Sequence, residues 1–390
     1  MRPIEIPEEV LDIVRVLERA GFEAWCVGGA LRDALLGDPQ ADFDIATSAR
    51  PEEVLRLFPR TIPVGLRFGT VGVLDRHRQL HEVTTFRRDI ETDGRHAVVQ
   101  YGVSLEDDLA RRDFTINALA YHPLRDEWRD PFNGAEDLSR RVVRAVGDPA
   151  QRFREDYLRI LRGLRFSARL DFAIDPATWE AARAAADGLP QLSAERVRDE
   201  WFKSLRTARD INALVRLWRE SGVASVWMPE LEVESGAHVP PLDRAERDPV
   251  LLTCLLTTDP VAVLRRLKAS NQEIGRAVAI RDAVLLPDRS DDVTVRRWLS
   301  RAGAAADDHA TLIRWRTGQS PPWAPVAERI RERGDALTRD ALAISGVDLR
   351  AIGLEPGPKM GLVLDRLLDR VLEDPSINTR ERLLALARDA

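Results

Sequence analysis

The chain has 390 residues, 44% of them hydrophobic and 31% charged, with a formal net charge of −6. That length exceeds one ordinary core, so two to four packed units of a soluble globular protein are expected. No stretch nears the roughly eighteen apolar residues of a membrane span. The opening M-R-P-I-E-I-P-E-E lacks a signal-peptide core, so a cytoplasmic protein without a membrane partner is expected. Cys26 and Cys254 lie far apart, and the scattered histidines form no H-x-x-x-H pair, which excludes a disulfide framework and a zinc site.

Residues 7–21 place apolar side chains at helical spacing, acids in the first turn and Gly21 at the end, which predicts an opening helix. An apolar run from Ala24 to Val27 then stops at Gly28-Gly29, a helix-like segment carries Arg32 and Asp33, and a second short strand presents Asp42 and Asp44 around Phe43. Alternate strand residues face the same way, so the two carboxylates share a face and need a cation to offset their repulsion. Their hard oxygens suit Mg²⁺ far better than zinc. Glycines leading into a helix let a backbone approach phosphates, and Arg32 one turn in can fork onto a phosphate oxygen. Metal carboxylates beside a phosphate cradle imply chemistry on a nucleoside triphosphate.

T-S-A-R-P-E-E-V-L-R-L-F predicts a helix with Pro51 in its first turn. Two strands follow, F-G-T-V-G-V-L-D and L-H-E-V-T-T-F, joined by R-H-R-Q. Glu82 in the second could stand beside the aspartates as a third carboxylate, or be an exposed strand residue. Residues 88–104 lack either periodicity over most of their length and contain Gly94 and Gly102, which reads as a mobile loop of the kind that acts as a lid. L-E-D-D-L-A-R-R-D-F-T-I-N-A-L-A-Y starts as an amphipathic helix, then sets Arg111, Arg112, Asp113, Thr115 and Asn117 among apolar residues. Asp130 to Leu138 is turn chemistry followed by a helix start. From about Asp148 strand signals all but vanish, and helices break near Pro190, Pro229, Pro240-Pro241, Pro287, Pro321-Pro322 and Pro356. An α+β head followed by an all-helical body is the expected fold.

Between Arg152 and Arg169 an acidic protein carries a basic stripe: Arg152, Arg154, Arg159, Arg162, Arg165 and Arg169 against Glu155 and Asp156. Read as one helix, Leu158, Leu161 and Leu164 form an apolar seam, while Asp156, Arg159 and Arg162 project together on another face. Such a face is either a solvated salt-bridged surface or a base-reading one. A carboxylate accepts from an exocyclic amine and a guanidinium donates to a ring acceptor, a pairing that fits cytosine and adenine but not guanine or uracil.

G-G-A-L-R-D followed by D-F-D, with R-R-D-F-T-I-N-A, D-P-F-N-G and E-D-Y-L-R further on, resembles the polymerase-β-type nucleotidyltransferases. The match is to the branch that holds class II tRNA CCA-adding enzymes and bacterial poly(A) polymerases. It is strong from about residue 5 to 210 and continues more weakly through L-E-P-G-P-K-M-G and D-P-S-I-N-T-R-E-R-L-L. The resemblance implies a catalytic head on a small mixed or antiparallel sheet (1–147), a helical neck that recognises the base (148–210), a helical body (211–320) and a helical, tRNA-binding tail (321–390). It implies addition of C, C and A to the tRNA 3′ end from CTP and ATP, with two Mg²⁺ ions and release of pyrophosphate. On the matched positions Asp42 and Asp44 hold the metals, Gly29 and Arg32 meet the nucleotide and Arg112 its sugar and phosphates. Gly28, Asp33, Asp113 and Asn117 in the same segments are expected to bind the nucleotide with them, and Glu82, from its strand position alone, is the candidate third catalytic carboxylate. Asp156 and Arg159, with Glu155, select the base, and Arg162 and Arg165 lie beside the base or triphosphate.

I-P-V-G-L-R-F-G-T-V resembles the CCA-adding version more than the basic stretch usual in the poly(A) polymerases, which demotes polyadenylation. The segment 88–104 is slightly shorter than in a full CCA-adding enzyme, which keeps CC-only or A-only addition open. A silent RNA binder on the same scaffold is the alternative of another class, disfavoured because paired carboxylates repel RNA. Trp201, Trp218, Trp227, Trp298, Trp315 and Trp323 are expected in cores, and Pro356 to Gly361 at a helix start. Arg296, Arg297, Arg314 and Arg316 are an RNA surface or solvated faces, and His81 is an ordinary strand residue.

Overall fold

The computed structural model describes residues 1, 3–38, 43–92, 97–231, 239–282 and 286–388, and for residues 67, 89–92 and 97–99 it describes the backbone alone. It divides into two units, one of residues 1–233 with 266–268 and one of 234–265 with 269–390.

The first unit opens with α1 (Glu8–Arg19), whose Val10, Ile13, Val14 and Leu17 are buried and whose Glu8 and Glu9 sit in the positive first turn. Then come β1 (Ala24–Val27), α2 (Gly29–Leu35), β2 (Asp44–Thr47) and α3 (Pro51–Leu57), the last started by Pro51 and by Glu53 accepting from the Arg50 N–H. Strands β3 (Thr61–Gly65), β4 (Thr70–Leu74) and β5 (Leu80–Thr85) follow, then the separate antiparallel pair β6 (Arg87–Thr92) and β7 (Ala97–Tyr101). Helix α4 (Leu105–Ala110), β8 (Ala120–His122) and β9 (Glu127–Arg129) complete the sheet, whose order is β3-β4-β5-β2-β1-β8-β9. Every neighbouring pair is antiparallel except β2 with β5. Buried side chains cover both faces of the central strands: Cys26, Ile45, Val71 and Val83 pack with α1 on one side, and Trp25, Val27, Ala46 and Phe86 with Leu109 on the other.

Beyond the sheet lie α5 (Gly134–Arg140), β10 (Val142–Val143), α6 (Pro149–Glu155), α7 (Leu158–Leu170) and β11 (Ala173–Ile174), the two short strands pairing in parallel. Helices α8 (Pro176–Ala184), α9 (Ala194–Thr207), α10 (Ile211–Glu220) and α11 (Val223–Trp227) end this stretch, with Trp201 and Trp218 buried edge to face at 4.7 Å. The chain continues as α12 (Pro249–Leu256), α13 (Pro260–Arg266), α14 (Asn271–Asp282), α15 (Asp292–Ala302), α16 (Ala305–Thr317), α17 (Ala324–Glu332), α18 (Gly346–Ala351), α19 (Pro358–Glu373) and α20 (Arg380–Arg388). Trp298, Trp315 and Trp323 are buried there, and Trp227 is half-buried. No described helix is long and apolar enough to cross a membrane.

Three expectations are corrected. The segment read as a loop holds a hairpin, β6 with β7, and β3 is a strand the sequence did not announce. The helix read through Arg152 to Arg169 is two helices, because Asp156 is extended (φ −157, ψ 105) and its carboxylate accepts from the Leu158 N–H at 3.0 Å. The buried seam is consequently Ile160, Leu161 and Leu164, and Leu158 turns to a cavity. Arg296 is no RNA surface: it is buried and donates to the carbonyls of Leu372 and Glu373.

Candidate active site

Strand β1 runs into Gly28, which sits at φ +85, ψ −150, a region essentially closed to other residues. A Cβ there would stand 3.2 Å from Asp44 Oδ2 and 3.4 Å from Arg112 Nη1, so the turn must be glycine for space as well as for conformation. Ile45 of β2 pairs in parallel with Val83 of β5, which puts Asp44 and Glu82, each one residue earlier, at the same end of adjacent strands. Both are exposed, and both line a cavity of about 590 Å³. Asp42 lies outside the described residues. Among the described residues no three His, Cys, Asp or Glu side chains gather as a metal site would require, so Asp44 and Glu82 are the donors on view. They are hard oxygens and fit Mg²⁺. Behind them burial, with the charge of Asp44, pushes the Cys26 thiol up to about 12, so it offers no thiolate.

The opposite wall is built of guanidinium groups. Arg32, only 2% exposed, gives Nε to Asp33 at 2.8 Å and Nη1 to Asn117 Oδ1 at 2.5 Å. Asp33 also accepts from Arg169 at 2.7 Å and does not reach the cavity, and Gly29 sits against the Arg32 guanidinium. Asp113 accepts from Arg162 Nε at 2.7 Å, Asn117 Nδ2 at 2.9 Å and the Phe114 N–H at 2.8 Å. Burial pushes its pKa upward, but Arg162 and these hydrogen bonds prevail and hold the carboxyl below its ordinary value. Arg32, Arg162 and Arg165 stand 5.0, 5.5 and 4.4 Å from the centre of the Phe166 ring, whose face attracts all three cations. Arg165 turns to Glu200 of α9 at 2.6 Å and lies outside the cavity, away from its expected place. The cations lining the cavity are Arg32, Arg87, Arg111, Arg112, Arg159, Arg162 and Arg196, and no lysine occurs before Lys203.

The break between α6 and α7 presents the E-D-Y-L-R segment. Asp156 Oδ2 accepts from Arg196 of α9 at 2.7 Å, while Arg159 is held by Glu155 at 2.6 Å and by the carbonyls of Arg152 and Arg111, each at 3.1 Å. Both Asp156 and Arg159 line the cavity. An acceptor and a donor are therefore offered side by side in held orientations. The cavity thus gathers Gly28, Gly29, Arg32, Asp44, Glu82, Arg112, Asp113, Asn117, Asp156, Arg159 and Arg162.

Three residues escaped the sequence reading: Arg196, Phe166 and Asp108, whose buried carboxylate accepts from both Arg111 and Arg112. The spacing of Asp108, three and four residues before those arginines on a helical stretch, was a usable signal. Arg196 and Phe166 carried none, since only the tertiary fold brings them here.

Family comparison agrees with this geometry. Residues 24–144 match the poly(A) polymerase head domain, 171–234 the "Probable RNA and SrmB- binding site of polymerase A", and 244–387 the tRNA nucleotidyltransferase domain 2. A CCA-adding enzyme of Geobacillus stearothermophilus is 37% identical over 396 residues, covering 97% of this chain and 96% of that one. One from Streptococcus mutans is 35% identical across 100% of this chain and 99% of its own. The crystal structure of the Bacillus stearothermophilus CCA-adding enzyme in complex with CTP superposes with a TM-score of 0.80 at 34% identity, covering 98% of this chain and 96% of that one.

Proposed function

The chain belongs to the family of CCA-adding tRNA nucleotidyltransferases, and from that membership we infer that it extends the 3′ end of tRNA with C, C and A, consuming CTP and ATP and releasing pyrophosphate. One observation carries the reading: the exposed carboxylates of Asp44 and Glu82 and the pair Asp156 and Arg159 face a single cavity bordered by the Gly28 turn. Similarity along the whole chain to CCA-adding enzymes favours complete addition over CC-only, A-only or poly(A) synthesis.

Asp42 and Asp44, with Glu82 beside them, would hold two Mg²⁺ ions, which supply Lewis-acid activation of the primer 3′-hydroxyl and neutralise the departing pyrophosphate. The remaining work is positioning and charge stabilisation by the chain. Gly28 lets the backbone approach the phosphates, while Arg112 and Arg162 present guanidinium groups to them. Arg32 and Asp33 brace the turn from behind, Arg32 through Asn117. Asp156 accepts from the exocyclic amine of cytosine or adenine and Arg159 donates to the adjacent ring acceptor. Guanine or uracil sets a carbonyl against the Asp156 carboxylate and an N–H against the Arg159 guanidinium, a mismatch of about 1–3 kcal/mol. The division into head (1–147), neck (148–210), body (211–320) and tail (321–390), the tail on tRNA, belongs to the same proposal, as does a cytoplasmic location. The sheet's last strand ends at Arg129, inside the proposed head.

The test incubates labelled tRNA ending before its CCA with each nucleotide singly and in pairs. CTP alone should stop at CC, CTP with ATP should complete CCA, and UTP or GTP should add nothing. Asp44→Ala should abolish incorporation with tRNA binding retained. Arrest at CC with both nucleotides present, addition of A alone, an ATP-driven ladder or binding without incorporation each replaces the proposal with one of its rivals.

A further inference from the structure

Asp108 belongs to no motif in the sequence and does not line the cavity, yet it is the most heavily engaged carboxylate near it. It stands in the first turn of α4, 1% exposed. Its Oδ1 accepts from Arg111 Nε at 3.0 Å, Arg111 Nη2 at 2.8 Å and the main-chain N–H of Arg87 at 3.3 Å, and its Oδ2 from Arg112 Nη2 at 3.3 Å. Burial raises its pKa, but the two guanidinium charges prevail and hold the carboxyl below the ordinary carboxylate range. Three N–H groups thus converge on Oδ1 and one on Oδ2, so the orientation of the carboxylate is set by the hairpin's main chain and by both arginines together.

The groups it holds face in two directions. Arg111 and Arg112 line the cavity, and Arg112 Nη1 reaches the Asn117 carbonyl at 3.2 Å and the Gly28 turn. Arg112 Nε is buried with no hydrogen-bond partner among the described residues. Arg87 also lines the cavity, but the main-chain N–H that Asp108 holds opens β6, and its neighbour Arg88 pairs with Asp107. Helix α4 therefore grips the stem of the hairpin with two successive carboxylates, one of which also anchors the arginines beside the glycine turn.

We propose that Asp108 is a positioning residue for the nucleotide's triphosphate: it sets the angle at which Arg112 meets the phosphates and ties that angle to the hairpin formed by β6 and β7. Because the Arg87 N–H shares Oδ1 with Arg111 while Oδ2 holds Arg112, displacing that N–H shifts the carboxylate and with it the hold on Arg112. A shift of the hairpin stem thereby reaches the phosphates through one side chain. The inference rests on the nucleotidyltransferase reading of the cavity.

The test is a double-mutant cycle on the full chain, with CTP and tRNA lacking its CCA, reading KM for CTP, kcat, tRNA affinity and melting temperature. Asp108→Asn and Arg112→Ala should each raise KM for CTP about tenfold, with tRNA affinity unchanged. The double variant should be no worse than Arg112→Ala alone, because Asp108 acts through that arginine. Multiplying effects, about a hundredfold in the double variant, overturn the proposal, as does an unchanged KM in Asp108→Asn when Arg112→Ala raises it. An unchanged KM in Arg112→Ala instead overturns the placement of Arg112 on the phosphates. Should Asp108→Asn not fold, Arg88→Ala, a change at a side chain 54% exposed, closes the cycle with Arg112→Ala. Its effect on KM should vanish in the Arg112→Ala background, and independence of the two overturns the link to the hairpin.

Discussion

Replacing Gly28 with alanine asks one methyl group to do two kinds of damage that can be separated. At φ +85, ψ −150 an alanine backbone is strained by about 1–3 kcal/mol. For a unit of this size that lowers the melting temperature by roughly 2–4 °C per kcal/mol. The methyl also arrives 3.2 Å from Asp44 Oδ2, tighter than ordinary contact, and 3.4 Å from Arg112 Nη1, at the edge of it. Neither neighbour yields freely, since Asp44 starts a strand and Arg112 is tied to Asn117 and Asp108. A 1 Å misplacement of a positioning group can cost about 10²-fold in rate, and this contact asks the Asp44 carboxylate to yield by a few tenths of an ångström, so kcat/KM for CTP should fall about tenfold at 25 °C. Gly37→Ala is the control: it too puts a side chain at positive φ (+91), with nothing within 4 Å of the added methyl, and should lose stability alone. The assay is steady-state CTP incorporation into tRNA lacking its CCA, beside melting curves of both variants. A Gly28→Ala enzyme within about threefold of the parent refutes the account of the turn as a close-approach site.

The remaining expectations concern base choice, acid stability and RNA affinity. Asp156→Ala or Arg159→Ala should relax discrimination against UTP and GTP by about 10–100-fold, and unchanged ratios of kcat/KM remove the base-reading role. Asp113 has its pKa depressed in the folded chain, so its pairing with Arg162 contributes stability above the unfolded value of about 3.9 and loses it as pH falls through the folded value. Asp113→Asn should therefore cost about 1–3 kcal/mol near pH 7, and the gap in melting temperature should close as pH falls below the unfolded value and through the depressed folded one. A gap that persists in acid contradicts this assignment. A cavity of about 960 Å³ among α15, α19 and α20 is lined by Arg297, Arg301, Arg366 and Arg370. If the tail holds tRNA there, Arg301→Ala and Arg370→Ala should each flatten the salt dependence of tRNA binding, by roughly 0.7–0.9 in the log–log slope for every phosphate no longer neutralised. An unchanged slope places the RNA elsewhere.

What could be read from the amino acids alone was whatever has a local cause. The Gly28-Gly29 turn, the strand that starts at Asp44, the R-R-D segment and the buried tryptophans announce themselves through backbone freedom, alternation or composition. Strand β3 hid because T-I-P-V-G is an edge strand with little burial and a proline, so it shows no alternation. The pair β6 and β7 hid because it stands apart from the main sheet, so neither strand displays the period of a half-buried one. The break at Asp156 has neither proline nor glycine to mark it. It arises because a short carboxylate competes for the Leu158 N–H while Arg196, forty residues later, draws its other oxygen outward. Within the site, the groups that would meet the nucleotide were legible as motifs, whereas those bracing them, Asp108, Arg196 and Glu200, looked like ordinary helix-surface charges.

The all-arginine lining of the cavity has a chemical corollary. A guanidinium stays protonated at any pH a folded protein survives, where an ammonium would begin to fade as the solution turned alkaline. The attraction of this wall for a polyanion should thus hold flat into the alkaline range. Reagents that acylate amines, and acetylation by the same chemistry, find no side-chain target on it, while a dicarbonyl that condenses with guanidines finds its targets among the arginines.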